Sequence, residues 1–380
     1  MNKVRFILFF LFMAIGLAGC NLKESQMLFE DKEAFSRQTG GEVKSAFSER
    51  MEMTTTITIG AIGDVLLHDA VYQYAATDTG FNFKPAFESV MPLLSSPDFM
   101  MANQESNPGG IELGLSSYPA FNSPHEIVTD LQYSGVDMVT AANNHIMDRG
   151  IDSAMAAMDF YDEIGMPYVG VYRDVEDRQN HRVKEINGIK LGVLAYTFST
   201  NGIPIPFGFE ESVALLEPER MVSEIRVLRD NVDVVVVHLH WGNEYEQLPN
   251  QSQVELAERL SEEGVDIIFG HHPHVLQPID EIERSDGGKT VVFYSLGNFY
   301  SGQNFPYTDI GGVATINIKK VTRGSRSEVS LSQPAIEPTQ VIRGSQREYL
   351  IVPMKDSPAS AIEGVSYEET IEHINQNMTP

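Results

Sequence analysis

From Thr54 onward the chain is punctuated by short, almost unbroken runs of β-branched and apolar residues: Thr54–Ile62, Phe99–Ala102, Val136–Ala142, Ile189–Tyr196, Val232–Leu239, Val265–Phe269 and Val291–Leu296. A strand wetted on one face alternates apolar and polar residues, so runs of this kind require strands covered on both faces. Helical patterns lie between them, at Ile151–Gly165, Pro218–Asn231 and Ser252–Gly264. In the last of these Ser252 is the expected cap, with Glu255 three residues on and Gly264 as the stop. Such alternation predicts an α/β domain with a largely parallel sheet or sheets. Gly312–Lys320 and Glu328–Leu331 read as later, antiparallel strands, and a terminal helix is expected around Tyr367–Asn375. No internal repeat interrupts this plan.

The chain of 380 residues has 42% hydrophobic positions, which excludes a disordered or collagen-like chain. Its 53 acidic and 27 basic side chains give a formal net charge of −26. A chain this acidic is a poor candidate for non-specific nucleic-acid binding through counterion release, and a polyanion is repelled unless a metal ion or a local basic patch intervenes. At the amino terminus Lys3 and Arg5 precede the apolar run Phe6–Leu17. That run is too short to span a bilayer as a helix and reads as a secretory signal. Leu17-Ala18-Gly19-Cys20 is similar to a bacterial lipobox, in which the cysteine is lipidated and becomes the first mature residue. The expected organisation is a lipoprotein signal peptide over 1–19, a polar linker over 20–53, a folded domain over 54–350 and a helical extension over 351–380. The expected location is the outer face of the cell membrane, held by lipid on Cys20. Cys20 is the only cysteine, so its acylation leaves no thiol for disulfides or a thiolate metal site.

The polar residues with chemistry cluster at the carboxyl ends of the proposed strands, where open α/β sheets place ligands. Asp64 follows the first strand, Asn103 and Glu105 the second, and Asn143, Asn144 and His145 the third. His238 and His240 end the strand before Trp241-Gly242. His271, His272 and His274 follow Gly270, and Asn298 follows another strand. Singly these residues have ordinary readings: Asp64 as a helix cap, Asn144-His145 as a turn, one of His238 and His240 as a satisfied core histidine. Trp241 reads as a core aromatic under the site in preference to a substrate platform. Asn201–Glu211 is either a rim for a polymer or an ordinary long loop. Together, six of ten histidines at three strand ends point to metal, most strongly in His271-His272-Pro273-His274. Carboxylate, amide oxygen and imidazole suit Mn, Fe(II) or Zn. Asp64, Glu105, Asn144, His240, His272 and His274 supply enough ligands for two ions with a bridging carboxylate, leaving His145 to protonate a leaving group. A Ser-His-Asp hydrolase reading lacks a Gly-x-Ser-x-Gly turn, and a nucleotide-binding reading lacks a Gly-x-x-x-x-Gly-Lys loop.

The ordered series Gly63-Asp64, Asn103-x-Glu105, Ala142-Asn143-Asn144-His145, His240-Trp241-Gly242, Gly270-His271-His272-Pro273-His274 and Ser295-Leu296-Gly297-Asn298-Phe299 resembles the poly-γ-glutamate capsule biosynthesis (CapA) family. That family is similar in turn to calcineurin-like metallophosphoesterases. The resemblance implies a four-layer α/β/β/α sandwich of the metallophosphoesterase type with a dinuclear site, over about residues 57–320. It also implies a role with poly-γ-glutamate or another extracellular polymer, alongside a membrane synthase complex. The motifs depart from the phosphoesterase pattern in several places. Leu66 stands where Asp-x-His would put a histidine, and His68 lies two residues further on. Asn103-Gln104-Glu105 replaces a Gly-Asp pair, Asn143 replaces the glycine of Gly-Asn-His, and either His271 or His272 is the first ligand of the last cluster. Two functions follow as expectations: a metal-dependent hydrolase of the phosphoesterase kind, or a non-catalytic polymer-binding scaffold lipoprotein.

Overall fold

Residues 52–344, 348–357 and 362–376 are described by the computed structural model. The expected signal segment, Cys20 and the expected linker up to residue 51 lie outside the described residues. Among the described residues no helix is long and apolar enough to cross a membrane. Thr54–Val321 and Ser327–Pro380 form one compact unit. In the other, Arg323 Nε donates to Glu52 Oε2 at 2.9 Å between exposed side chains.

The strands in chain order are β1 (Glu52–Leu66), β2 (Ala76–Thr77), β3 (Gly80–Phe81), β4 (Phe99–Gln104), β5 (Met138–Thr140), β6 (Tyr168–Val169), β7 (Arg182–Ile186) and β8 (Ile189–Thr197). They continue with β9 (Val234–His240), β10 (Ile267–His271), β11 (Leu276–Glu283), β12 (Lys289–Leu296), β13 (Asn298–Ser301), β14 (Ile310–Arg323), β15 (Arg326–Arg343) and β16 (Tyr349–Pro353). One sheet runs β16-β15-β14-β1-β4-β5-β6, with β13 also paired to β1. The other runs β11-β12-β10-β9-β8-β7. Pairing is parallel through β13-β1-β4-β5-β6 and through β12-β10-β9-β8. The edges β7, β11 and β16 are antiparallel to their neighbours. β2 and β3 form a separate small hairpin.

The two-residue period of a strand divides each apolar run between two cores. In β9, Val234 and Val236 face a core shared with Ile57, Ile59 and Ala61 of β1 and Phe99 and Met101 of β4, so the two sheets pack face to face. Val235, Val237 and Leu239 face the opposite way, onto Met221, Ile225 and Leu228 of helix Pro218–Arg229 and Ala257 and Leu260 of helix Gln251–Glu262. On the far side of the first sheet, Ile62 and Val65 of β1 and Met100 and Ala102 of β4 pack against Ile127 and Leu131 of helix Glu126–Ser134 and Ala154 and Met158 of helix Gly150–Ile164. Helix, sheet, sheet and helix therefore succeed one another, the four-layer α/β/β/α order expected from the resemblance.

Local details differ from the expectation. Helix Gln251–Glu262 is capped by Asn250, not Ser252: Asn250 Oδ1 accepts from Gln253 N, and Gln253 Oε1 accepts from Asn250 N. The box works with glutamine at the third position, which leaves Glu255 outside it. The terminal helix, Tyr367–Ile374, falls where it was expected and buries Ile374 in the core between the sheets.

Where β1 leaves the sheet, its register with β4 shifts between Ile62 and Asp64, and Asp64 N donates to Gly297 O at 2.8 Å. A Cβ on Gly63 would stand 2.0 Å from Gly297 O and 2.6 Å from Leu296 O, both rigid backbone. Glycine at 63 is thus what lets β1 close against the turn into β13 and aim Asp64 inward. Gly63→Ala is expected to lower unfolding free energy by about 1–3 kcal/mol, the usual cost of overpacking a close contact. Urea unfolding of the full chain measures it, and a change within error would show that the strand crossing has slack.

Candidate metal centre

Five chain segments deliver polar groups to one edge of the sandwich. β1 carries Asp64, and β4 carries Asn103 one residue before its end; the Asn103 amide Nδ2 donates to Asp64 Oδ1 at 2.8 Å. Immediately beyond β4, Glu105 N and Ser106 N both donate to Val65 O, which turns the chain back toward β1 and carries the Glu105 side chain inward. After β5, Asn143 Oδ1 accepts from His145 N at 2.9 Å while its Nδ2 donates to Gln104 O, a local turn that presents Asn144 and His145. β9 supplies His240. β10 ends in His271, and the chain beyond it puts His272 and His274 at φ of 94° and 60°. Side chains other than glycine seldom take such angles, and their recurrence at one site marks a geometry held for function.

The groups meet around two carboxylates, Asp64 and Glu105, both fully buried. Asp64 Oδ2 lies 3.0 Å from His274 Nδ1 and accepts from His272 N at 3.3 Å. Glu105 Oε1 lies 3.5 Å from His240 Nε2, 3.8 Å from His274 Nε2 and 4.0 Å from His145 Nε2. Asn144 Oδ1 is 2.8 Å from His240 Nε2, and its Nδ2 donates to Asn201 Oδ1 at 3.2 Å, which orients the amide oxygen toward the site. His145 Nδ1 is 2.7 Å from Asp148 Oδ2.

Charge in so dry a place has few ways to settle. Burial works against ionised Asp64, but the flanking His271 and His274 outweigh it and hold the carboxyl well below its ordinary range. In Glu105 burial prevails and pushes the acid up to about 8. Burial also opposes a charge on His274, yet Glu105 and Asp64 raise it to about 9. His240 and His272 are held well below the ordinary imidazole range, chiefly by burial.

These residues fit a divalent metal. Both oxygens of Glu105 and Nδ1 of His240 and of His272 are buried without a hydrogen-bond partner among the described residues, a condition native interiors avoid unless something else satisfies the groups. Ligand atoms within 4.8 Å of one another come from Asp64, Glu105 and His274, and again from Glu105, His240 and His272. Glu105 is common to both sets, as a bridging carboxylate would be. The mixture of carboxylate and imidazole, with Asn144 Oδ1 beside His240, is a donor set for a first-row divalent ion.

The remaining expected residues fall behind or beside this group. His271 stands back from the metal triads: its Nε2 is 3.0 Å from His238 Nδ1, its Nδ1 is 3.5 Å from Asp64 Oδ1, and His238 Nε2 is 3.3 Å from Met101 Sδ. Of the two readings of the last cluster, the geometry favours His272 with His274. Asn298 pairs with Asp64 across β13 and β1, and its Nδ2 donates to Gln303 Oε1 and Thr308 O while its buried Oδ1 has no partner among the described residues. Trp241 is a core aromatic, stacked on Tyr294 with its Nε1 donating to Tyr294 O at 2.9 Å. His68 is not in the metal triads; its Nδ1 lies 3.2 Å from Leu66 O and accepts from Gly302 N. Sequence reasoning missed Asp148, Asn201, Glu244 and Phe198, whose ring lies 4.6 Å from that of His272. Only Asp148, three residues after His145, left a signal in the spacing.

Two face-packed sheets between helical layers, with acids, amides and imidazoles converging at strand ends, make this an α/β/β/α sandwich with a candidate metal centre. The chain belongs to the bacterial capsule synthesis protein PGA_cap family, whose model matches residues 58–303. Capsule biosynthesis protein CapA of Bacillus anthracis is 28% identical over 275 residues, covering 70% of this chain and 63% of that protein, a little under two thirds of its length. PGA biosynthesis protein CapA of Bacillus subtilis (strain 168) is 28% identical over 271 residues, with 70% of each chain covered. Among solved structures, NAD nucleotidase (NadN) of Haemophilus influenzae aligns with a TM-score of 0.48 at 11% identity, covering 84% of this chain and 59% of that one. The layer order stands on the chain's own packing.

If the triads are metal positions, His240→Ala and His274→Ala each lower bound metal about 10-fold or more at limiting ion while leaving the circular dichroism spectrum unchanged. Elemental analysis after gentle purification and reloading with Mn, Fe or Zn is the measurement; unaltered stoichiometry in both variants would remove these histidines from the ligand set.

Proposed function

We propose that this protein is a metal-dependent hydrolase, tethered by lipid on Cys20 to the outer face of the cell membrane, that acts in synthesis or export of poly-γ-glutamate. One observation carries the catalytic part: a fully buried glutamate with neither oxygen hydrogen-bonded among the described residues, ringed by three imidazoles from separate elements. So costly an arrangement fits a site that holds a metal, and catalysis by that metal is the use proposed for it. Family membership and the names of the Bacillus relatives support the polymer. The lipobox-like Leu17-Ala18-Gly19-Cys20 supports the tether, and a membrane synthase complex is the proposed company.

The proposed ligands are Asp64, Glu105, Asn144, His240, His272 and His274, for one or two ions of Mn, Fe or Zn. When bound, the metal supplies Lewis acidity for negative charge developing on the substrate. The protein's own part centres on His145. Asp148 accepts from Nδ1–H and fixes the ring, which leaves Nε2 facing the carboxylate cluster to carry a proton to the leaving group. Phe121 holds the other side of that ring edge-on, with centroids 4.8 Å apart. Asn201 keeps the Asn144 amide turned so that its oxygen, not its nitrogen, faces His240.

Metal-loaded full chain is expected to hydrolyse bis(p-nitrophenyl) phosphate or γ-linked glutamate polymer, and a chelator is expected to abolish the activity. His145→Ala should lower kcat about 10²-fold or more without loss of metal, and Asp148→Asn should lower it less. No turnover of either compound with Mn, Fe or Zn by protein shown to be loaded would favour a polymer-holding scaffold instead.

A further inference from the structure

We propose that Glu244, an exposed residue at the mouth of the site, is a further carboxylate ligand of the metal centre, and that with His272 and His274 it forms the cation position which an anionic group of the substrate meets first. This rests on the reading of the cluster as a metal centre. A carboxylate oxygen of Glu244 and one nitrogen each of His272 and His274 lie within 4.8 Å of one another. His272 is buried, and its Nδ1 has no hydrogen-bond partner among the described residues. His272 and His274 each belong also to an inner triad, so the position adjoins those triads and is not a remote site.

The approach of Glu244 is built into the fold. Tyr245 N donates to Pro273 O at 2.8 Å, which ties the Glu244 loop to the turn carrying both histidines. Beneath the loop, the buried Gln277 donates through Nε2 to Glu246 O at 2.8 Å and to Leu248 O at 3.1 Å. Gln277 Oε1 in turn accepts from Nε2 of the buried Gln253, the residue that also closes the capping box at Asn250. Gly242, at φ 81°, lets the chain pass over that Gln253 amide, which would stand 2.6 Å from any Cβ at 242. The loop is therefore fixed at both ends and from below, while Glu244 itself stays in solvent.

Charge supplies the reason. In a chain of net charge −26, one more carboxylate at the entrance repels an anionic substrate unless it carries a cation. With a divalent ion on it, the same residue presents positive charge outward and receives a carboxylate or phosphate oxygen.

The test is Mn²⁺ binding to chelator-stripped full chain, followed by calorimetry and electron paramagnetic resonance. Glu244→Gln, an exposed and nearly isosteric change, should weaken one class of Mn²⁺ site about tenfold or more, change its spectrum and leave the remaining binding as in wild type. Glu244→Asp should retain part of the affinity. A γ-linked glutamate oligomer should bind wild type only with Mn²⁺ present, and Glu244→Gln about tenfold more weakly. Identical Mn²⁺ number, affinity and spectrum in wild type and Glu244→Gln would overturn the assignment. Wild type that takes up no Mn²⁺, Fe²⁺ or Zn²⁺ would overturn the metal centre itself, and this position with it.

Discussion

A carboxyl group in an apolar sandwich has to be answered by positive charge, by donated hydrogen bonds or by a proton. Glu105 lacks the second of these: both of its oxygens are buried, and no hydrogen bond reaches them from the described residues. Its neighbours are imidazoles, and burial keeps His240 and His272 from carrying the charge that would help. Leaving the acid ionised and unanswered would cost on the order of several kcal/mol, and burial accordingly pushes the Glu105 carboxyl up to about 8. A divalent cation resolves the conflict more completely, since it supplies charge and accepts lone pairs at once. The fold tolerates an expensive cluster because the cluster has a use.

That cluster exists because the two sheets are arranged to bring strand ends together. β1, β4, β9 and β10 all finish at the same edge of the sandwich, and each hands over its polar residue as the strand stops. Their spacing is set by backbone pairing inside each sheet, which at the strand ends runs through Asp64, Asn103, His240 and His271 themselves, and by apolar packing between the sheets. A second layer of polar groups then fixes orientation: Asn103 on Asp64, Asn201 on Asn144, Asp148 on His145, and the stacked pair His238 and His271 behind. Close passage is part of the design. At Gly270 a Cβ would fall 1.9 Å from Tyr294 O and 2.6 Å from Trp241 Nε1, so the Gly-His step into the histidine cluster requires glycine.

The doubly covered strands were readable because burial on both faces forces an unbroken apolar run, and β8, β9 and β10 lie where those runs predict. β7 was not readable: it is an edge strand of mixed residues, mostly exposed, so no hydrophobic signal marks it. Helix Gln251–Glu262 starts two residues earlier than the expected Ser252 cap would allow, because the Gln253 side chain closes the capping box on Asn250. The metal ligands were legible as types at strand ends. Between His271 and His272 the choice was not, because it depends on the left-handed turn at His272 that swings one ring forward. Asn201 and Glu244 come from loops whose positions follow from distant packing, so nothing near them in the chain foretells their place.

The acidity of the chain is at first sight hard to reconcile with an anionic polymer as the proposed substrate. Screening removes much of the difficulty: at physiological ionic strength exposed charges are felt over only about 8 Å, so an approaching segment responds to what surrounds the mouth and not to the total of −26. What surrounds the mouth is carboxylate and imidazole on a fixed frame, with exposed aromatic edges at Phe198, Tyr245 and Phe305. Without a cation this is a negative, partly apolar rim that turns a polyanion away. With a divalent cation the sign at the centre reverses while the surrounding surface stays acidic. On the proposed reading, a polymer held at one point by the metal meets carboxylate around the mouth, which favours release after each encounter over tight wrapping of the whole chain.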